Sequence, residues 1–401
     1  MPRSSSPSRK ISELVHERGP LTVAAFMELA LYDPSVGYYA RAAQRSGRAG
    51  DFFTSVDVGP VFGELLAAQV VEMAHVLESR SQDGELRAPN PEPRFDLVEA
   101  AAGNGRLSAD IVREIRRVEP ALYARLRLHL VETSAAARSA HRDVLGDVEE
   151  TLVRSSPDLP DAVDGVLIAN ELLDAMPVHQ VVMRREGLRE VYVEAEQLAA
   201  GDWRLGTTEG PLSSPALAEY LDALEITLEP GWLAEINLAA VEWIRSAARR
   251  LRRGFIIVID YGHRAGELYS ASHSAGTLTT FSAHRADGSE RLSSTPAWLE
   301  DAGERDITAH VDFTSIENEA RRQGLATLGF LDQTYFLLGL VGAGGSNAGA
   351  ARIDSADMKT RLALKTLLLP GGLGSTHKVL ILGKNVGTPS LLGCAYRVRV
   401  T

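Results

Sequence analysis

The sequence predicts an α/β fold, a mostly parallel β-sheet covered by helices, with a helical region ahead of it. Three observations carry this expectation. Short apolar runs alternate with helical segments between Phe95 and Asn170. The connections between them are brief, as in strand–helix–strand crossovers. The strongest apolar run, Gly254–Tyr261, reads as one further buried strand.

Taken in order, the first ten residues, MPRSSSPSRK, are polar and are expected to be a disordered tail. Ile11 to Leu31 reads as two short helices broken at Gly19-Pro20, with Thr22 as N-cap of the second. Pro60–Leu77 returns to helical periodicity, closing a helical cap over residues 11–92. The polar stretch SRSQDGELRAPNPEPR is the expected boundary, and residues 93–401 form the core. There, Phe95–Ala101, Leu126–Thr133 and Asp164–Asn170 read as strands, with Arg106–Val118 and Ala135–Val144 as helices. Residues 179–196 read as a hairpin turning at Glu186-Gly187. Trp232–Arg253 reads as helical and Lys378–Gly383 as a strand, with helices near 313–323 and 354–368. Segments of about 179–250 and 284–375 are expected as insertions into the core.

Composition narrows the function. Lys and Arg number 42 against 53 Asp and Glu, so the net charge of −11 disfavours general binding to phosphate backbones. Cys394 is the single cysteine, which excludes an intramolecular disulfide and a cysteine-cluster metal site. Apolar runs fall short of the ~18–20 residues that span a bilayer. A cytoplasmic, soluble protein is expected, because no apolar segment follows the polar start.

Chemistry concentrates where predicted strands end. In FDLVEAAAGNGRLSADI a strand runs into Glu99, a small-residue loop follows, and a helix begins near Arg106. Small residues let backbone approach a ligand, and a helix start offers free N–H groups. Glu132 ends the next strand, where an acid accepts hydrogen bonds from ribose hydroxyls in doubly wound nucleotide sites. A tight strand–helix turn explains the loop alone; the loop with Glu132 favours a nucleoside site. The loop is not G-x-G-x-x-G, having only Gly103 and Gly105. It fits E-x-G-x-G-x-G with Ala101 at the first glycine, which an alanine satisfies if its φ is negative.

Asn170, Glu171 and Asp174 follow another strand. On one helical turn, Glu171 and Asp174 would face the same way and could orient a guanidinium; a helix cap and a solvated acid are the plainer alternative. Asp260, Tyr261 and His263 end the strand at 254–261, and Asp306, Thr308, His310 and Asp312 would share a face if extended. A two-histidine-plus-carboxylate metal site using His263 and His310 ranks below pocket lining, and no metal is expected. The basic run at 245–254 is explained by a helix end, and VGAGGSNAGA at 341–350 by a flexible loop.

Together GPLTVAAFMELALYDPSVGYY, GDFFTS, FGELLAAQ, LVEAAAGNGRL, HLVETS, IANELLDAMPVHQ, IDYG and DITAHVDF resemble the MidA-like family, from about Gly19 to Lys384. That family includes bacterial proteins and the mitochondrial complex I assembly-factor methyltransferase that modifies arginine. The resemblance implies a Rossmann-like class I methyltransferase core with a seven-stranded sheet, binding S-adenosyl-L-methionine and releasing S-adenosylhomocysteine. It places the cofactor against Glu99, Ala101, Gly103 and Gly105, with Glu132 on its ribose and Asn170 and Glu171 beside its methionine end. Tyr39, Phe53 and Thr54 would close over it. His377, where the family carries an aromatic, is expected to concern packing.

The implied reaction is methylation of a protein side chain, an arginine by analogy. Glu171 and Asp174 would orient the nucleophile, with Asp260 and His310 as candidates for proton handling. Alternatives are a catalytically weak assembly or binding factor, a small-molecule methyltransferase and a nicotinamide-dependent oxidoreductase. A protein partner is expected, without general nucleic-acid binding or membrane insertion; a homodimer is compatible.

Overall fold

The run Phe95–Ala100, buried at every position, pairs in parallel with Val163–Asn170 on one side and Leu126–Val131 on the other. A strand covered on both faces needs such a continuous apolar run. These pairings come from a computed structural model, which describes residues 6–40, 54–79, 94–199, 201–282, 285–287, 295–342, 358–368 and 376–396.

Besides Val311–Asp312, which pairs in parallel with Gly262–His263 off the main path, this eight-stranded sheet has seven strands, numbered β1 (Phe95–Ala100), β2 (Leu126–Val131), β3 (Leu152–Ser156), β4 (Val163–Asn170), β5 (Leu251–His263), β6 (Ala326–Asp332) and β7 (His377–Lys384). Their spatial order is β6-β7-β5-β4-β1-β2-β3. β7 runs antiparallel to both neighbours, and the other pairs are parallel. The Rossmann-like, mostly parallel seven-stranded core expected from the resemblance is therefore present. Strand order reverses between β1 and β4, which opens a crevice at the carboxyl ends of open α/β sheets. The helix Arg106–Val118 buries Leu107, Ile111, Val112 and Ile115 in the same core as Phe62, Leu66 and Met73 of the helix Val61–Ser79.

The chain divides into two compact units. The sheet unit comprises Thr54–Leu172, Ile244–Tyr261 and Glu317–Thr401; the other comprises Met1–Phe53, Leu173–Trp243 and Gly262–Ile316. In the second unit the hairpin His179–Arg184 and Gly187–Gln197 belongs to a five-stranded antiparallel sheet with Leu21–Thr22, Trp203–Gly210 and Leu233–Ile236. Its core gathers Ile11, Phe26, Leu31, Tyr38, Val193 and Trp298. Thr22 caps its helix as expected, accepting a 3.1 Å bond from the Ala25 N–H.

Several expectations are corrected. The helix Pro7–Arg18 starts inside the supposed tail, capped by Ser6. The division does not fall at residue 92, because the apolar stripe of Val61–Ser79 packs into the core of the sheet unit. The inserted regions likewise do not run as single blocks: the second unit is assembled from three chain segments. The stretch from Trp232 is a strand over Leu233–Ile236 before its helix, Leu238–Arg250, because those residues pair with the hairpin edge. The polar stretch at 80–93 and the glycine-rich stretch at 343–350 lie outside the described residues.

Gly165 of β4 sits between Asp96 and Gly254 of the flanking strands with φ 155°, and a Cβ there would lie 2.0 Å from the Asp96 carbonyl oxygen. Gly103 has φ 53° but open space around a Cβ. Gly165→Ala should therefore cost about 3 kcal/mol or more in urea denaturation. Gly103→Ala should cost only about 1 kcal/mol. Equal losses would contradict the close strand approach at residue 165.

Candidate functional site

Strand β1 ends at Ala100, and the chain then turns through Ala101, Gly103 and Gly105, with φ of 56°, 53° and 86°. The negative φ that would suit Ala101 is not adopted. The alanine holds a left-handed conformation that glycine takes without strain, at a cost of about 1 kcal/mol. The loop is laced to β2: the Ala102 N–H donates to Val131 O at 3.1 Å and the Gly103 N–H to Glu132 Oε2 at 2.9 Å. Glu132 Oε1 accepts from the Ser134 N–H at 2.7 Å. His141 Nε2 lies 2.9 Å from Gly103 O. Gly105 then opens the helix Arg106–Val118.

Glu99 is buried beneath this loop and accepts from the Ser108 hydroxyl and, at 3.1 Å, from the Ser108 N–H. Burial pushes its carboxyl up to about 8, against the lowering effect of the Ser108 bonds. Thr54 is held alongside: its N–H and hydroxyl both donate to Asp57 Oδ2 at 3.0 Å, while Arg106 donates to Asp57 Oδ1. Asp57 and Arg106 were not singled out in the sequence. Their ion pair joins segments far apart in the chain, which local spacing does not reveal. Phe53 lies outside the described residues.

At the ends of β4 and β5 a second group gathers. Asn170 Oδ1 is buried with no hydrogen-bond partner among the described residues, while its Nδ2 donates to Glu171 Oε1 at 3.3 Å. Glu171 is partly exposed, with φ 51°. His377, fully buried, brings Nε2 to 3.6 Å from Glu171 Oε1 and packs its ring on Tyr261 at 3.8 Å between centroids. Besides packing, it thus lies beside the Glu171 carboxylate, and its position at the start of an antiparallel strand gave no local sign of that. Asp260 is fully buried and accepts from the Leu172 N–H at 3.1 Å and the Tyr261 N–H at 2.9 Å. A carboxylate so occupied shapes backbone.

The helical turn expected to align Glu171 with Asp174 is not formed, because the left-handed Glu171 cannot start a right-handed helix. Asp174 belongs to the other unit, where it is buried and its carbonyl accepts from the Ala309 N–H at 3.0 Å. In that unit Tyr39 donates to Asp306 Oδ1 at 2.8 Å and stacks on Tyr32. Burial, followed by the Asp306 charge, raises the Tyr39 phenol well above its usual range. Asp306 to Asp312 is not one extended run. It breaks between the strands Asp306–Thr308 and Val311–Asp312, where His310 lies, and Asp312 caps the following helix through the Thr314 N–H at 2.9 Å. His310 lies beside His263 and His273, and burial pushes its imidazole down to about 4.

Glu99 makes a pH prediction. Between its ordinary value of 4.5 and about 8, only the folded state keeps the proton. Stability should therefore fall as pH rises through that window, by up to ~1.4 kcal/mol per unit. Glu99→Gln removes this dependence, so the variant should gain on the wild type from about pH 5 to pH 8 in urea denaturation. A constant difference would place the titration elsewhere.

The fold has counterparts among known proteins. A crystal structure from Burkholderia thailandensis, solved with S-adenosyl-homocysteine bound, is 25% identical, covers 98% of each chain and has a TM-score of 0.80. The protein arginine methyltransferase NDUFAF7, mitochondrial, of Mus musculus is 27% identical over 358 residues, 82% of this chain and 72% of its own. The Homo sapiens protein of the same name is 28% identical over 356 residues, with the same coverage of both chains. A family model described as "Putative S-adenosyl-L-methionine-dependent methyltransferase" matches residues 65–331, from the helix ahead of β1 through β6. The chain belongs to this MidA-like family of S-adenosyl-L-methionine-dependent methyltransferases.

Proposed function

We propose that this protein methylates a protein arginine, holding S-adenosyl-L-methionine at the carboxyl ends of β1, β2 and β4. The observation that carries the cofactor assignment is Glu132 folded against the Gly103 N–H. It puts a carboxylate at the end of β2 beside the loop that opens the next helix. In doubly wound sites that is where ribose hydroxyls are held. The orphaned Asn170 Oδ1 supplies a buried acceptor for a donor on the cofactor's methionine end. Glu99 carries the loop from below, and Thr54 joins it through Asp57 and Arg106. The arginine substrate is drawn from the names of the relatives.

The cofactor supplies an activated methyl on a sulfonium. The residues of the chain have to hold the nucleophile in line with it, roughly 3–3.5 Å from the methyl carbon. A guanidinium nitrogen would attack the methyl carbon as the carbon–sulfur bond breaks, S-adenosylhomocysteine would leave, and the proton released from the nitrogen would pass to the Glu171 carboxylate and on to water. Glu171 is the carboxylate assigned to orient the guanidinium. It is partly exposed, ends β4 and is flanked by His377. Asp260 positions the loop that carries Glu171, and Asp174 and His310 are left out of the catalytic set. Cytoplasmic residence and a homodimer go with this reading and are checked by cell fractionation and sedimentation.

Calorimetric titration with S-adenosylhomocysteine should give micromolar binding, weakened at least tenfold by Glu132→Ala, since hydrogen bonds to a charged group are worth ~1.5–3 kcal/mol. No heat at any concentration would favour the alternative of a non-catalytic assembly factor, a reading that the strained Ala101 supports. Ala101→Gly should raise unfolding stability by about 1 kcal/mol. Glu171→Gln should leave S-adenosylhomocysteine affinity within a few-fold yet slow methyl incorporation into arginine by about 100-fold. Radiolabelled methyl transfer to cell-extract protein, followed by hydrolysis to free methylarginine, measures it. An unchanged rate would remove Glu171 from the mechanism.

A further inference from the structure

Within the segment Gly262–Ile316 of the second unit three imidazoles converge from separate elements. His263 ends β5, His273 ends the single 3-10 turn Ala271–His273, and His310 lies between the strands Asp306–Thr308 and Val311–Asp312. Ring centroids lie 4.9, 5.3 and 5.9 Å apart, and one ring nitrogen from each falls within 4.8 Å of the others.

We propose that His263, His273 and His310 form a binding site for a first-row divalent transition metal, zinc foremost. Imidazole suits zinc, copper and nickel, whereas magnesium and calcium take oxygen ligands. The hydrogen bonds around the cluster arrange the rings for this. His273 Nδ1 lies 3.1 Å from the Glu267 carbonyl oxygen, an acceptor, so the neutral ring donates there and carries its lone pair on Nε2. His263 Nδ1 lies 2.9 Å from Glu267 Oε1, an ion-pair distance without hydrogen-bond alignment, which places a carboxylate beside the ring as in metal-binding imidazoles. His310 Nδ1 is buried with no hydrogen-bond partner among the described residues. A neutral imidazole left so is costly unless something fills the position.

The frame is held independently of any ion. The His310 N–H donates to Thr277 Oγ1 at 3.1 Å, and that hydroxyl donates to the buried Glu235 at 3.0 Å. The Gly276 N–H closes the turn on His273 O at 2.8 Å. Tetrahedral zinc with Zn–N bonds of 2.0–2.1 Å needs nitrogens ~3.3 Å apart, a closure that imidazole rotation supplies. Three histidines leave a fourth position for water or an anionic ligand, as in open zinc sites. The cluster shares no residue with the cofactor loop, and its proposal does not depend on that assignment.

The test is calorimetric titration of the untagged, chelator-stripped full chain with zinc sulfate, with cobalt(II) absorption as a second readout. One zinc per chain at micromolar or tighter affinity is expected, with the intense visible bands of tetrahedral cobalt. His273→Gln and His310→Gln should each weaken binding at least 100-fold. Glu267→Gln, which keeps all three ligands, should weaken it by ~10–100-fold. S-adenosylhomocysteine binding by the variants reports that they are folded, and circular dichroism does so should that ligand not bind. Absence of stoichiometric binding, or equal affinity in the His273→Gln/His310→Gln double variant, would overturn the site.

Discussion

The parallel pairing of β1 with β4 is the interaction on which the candidate site rests. Their register runs from Asp96 opposite Gly165 to Ala100 opposite Ala169, so both chains leave the sheet at one level. Ala101 follows one exit and Glu171 comes just after the other, and both are left-handed, with φ of 56° and 51°. Two non-glycine residues in that region represent strain that the flanking pairings have to sustain. The close contact at Gly165 fixes the register from the other end, since a side chain there would strike the Asp96 carbonyl. The loops are thus aimed by backbone pairing before any side chain takes part.

The acids at this edge have a common local task. Glu99 holds the Ser108 N–H, Glu132 the Gly103 and Ser134 N–H groups, and Asp260 the Leu172 and Tyr261 N–H groups. Each carboxylate satisfies backbone donors that a tight loop cannot pair internally. They differ in burial, and that separates their chemistry. Glu99 is driven toward the protonated form by desolvation, whereas Glu132 and Glu171 are only partly covered and keep surface for a ligand. A pattern of acids at strand ends therefore contains buried loop clasps as well as the candidates for ligand binding, and burial distinguishes them.

Much of this was legible in the order of residues. Periodicity located three of the four strands and the two longer helices between Phe95 and Asn170 to within a residue or two, because buried parallel strands and amphipathic helices leave different spacings, but it passed over the half-exposed strand Leu152–Ser156. Glu132 and the loop at 101–105 were legible because both belong to one strand–helix–strand unit. Other features were not. Leu233–Ile236 reads as helix locally, but a free hairpin edge recruits it as a strand. His377 and His273 carry no motif and acquire meaning only from neighbours distant in the chain.

By itself, then, the sequence determined the alternation of elements, the strand-end acids and the glycine-bearing loop, since each depends on contacts within a few tens of residues. Tertiary structure decided the rest. It decided that Val61–Ser79 joins the sheet core while Glu171 and Asp174 fall in different units. It also decided that three histidines from a strand end, a turn and a linker meet. The physical reason is the same in each case: pairing and burial between distant segments set where a side chain ends up, and local spacing carries no record of which segments will pair.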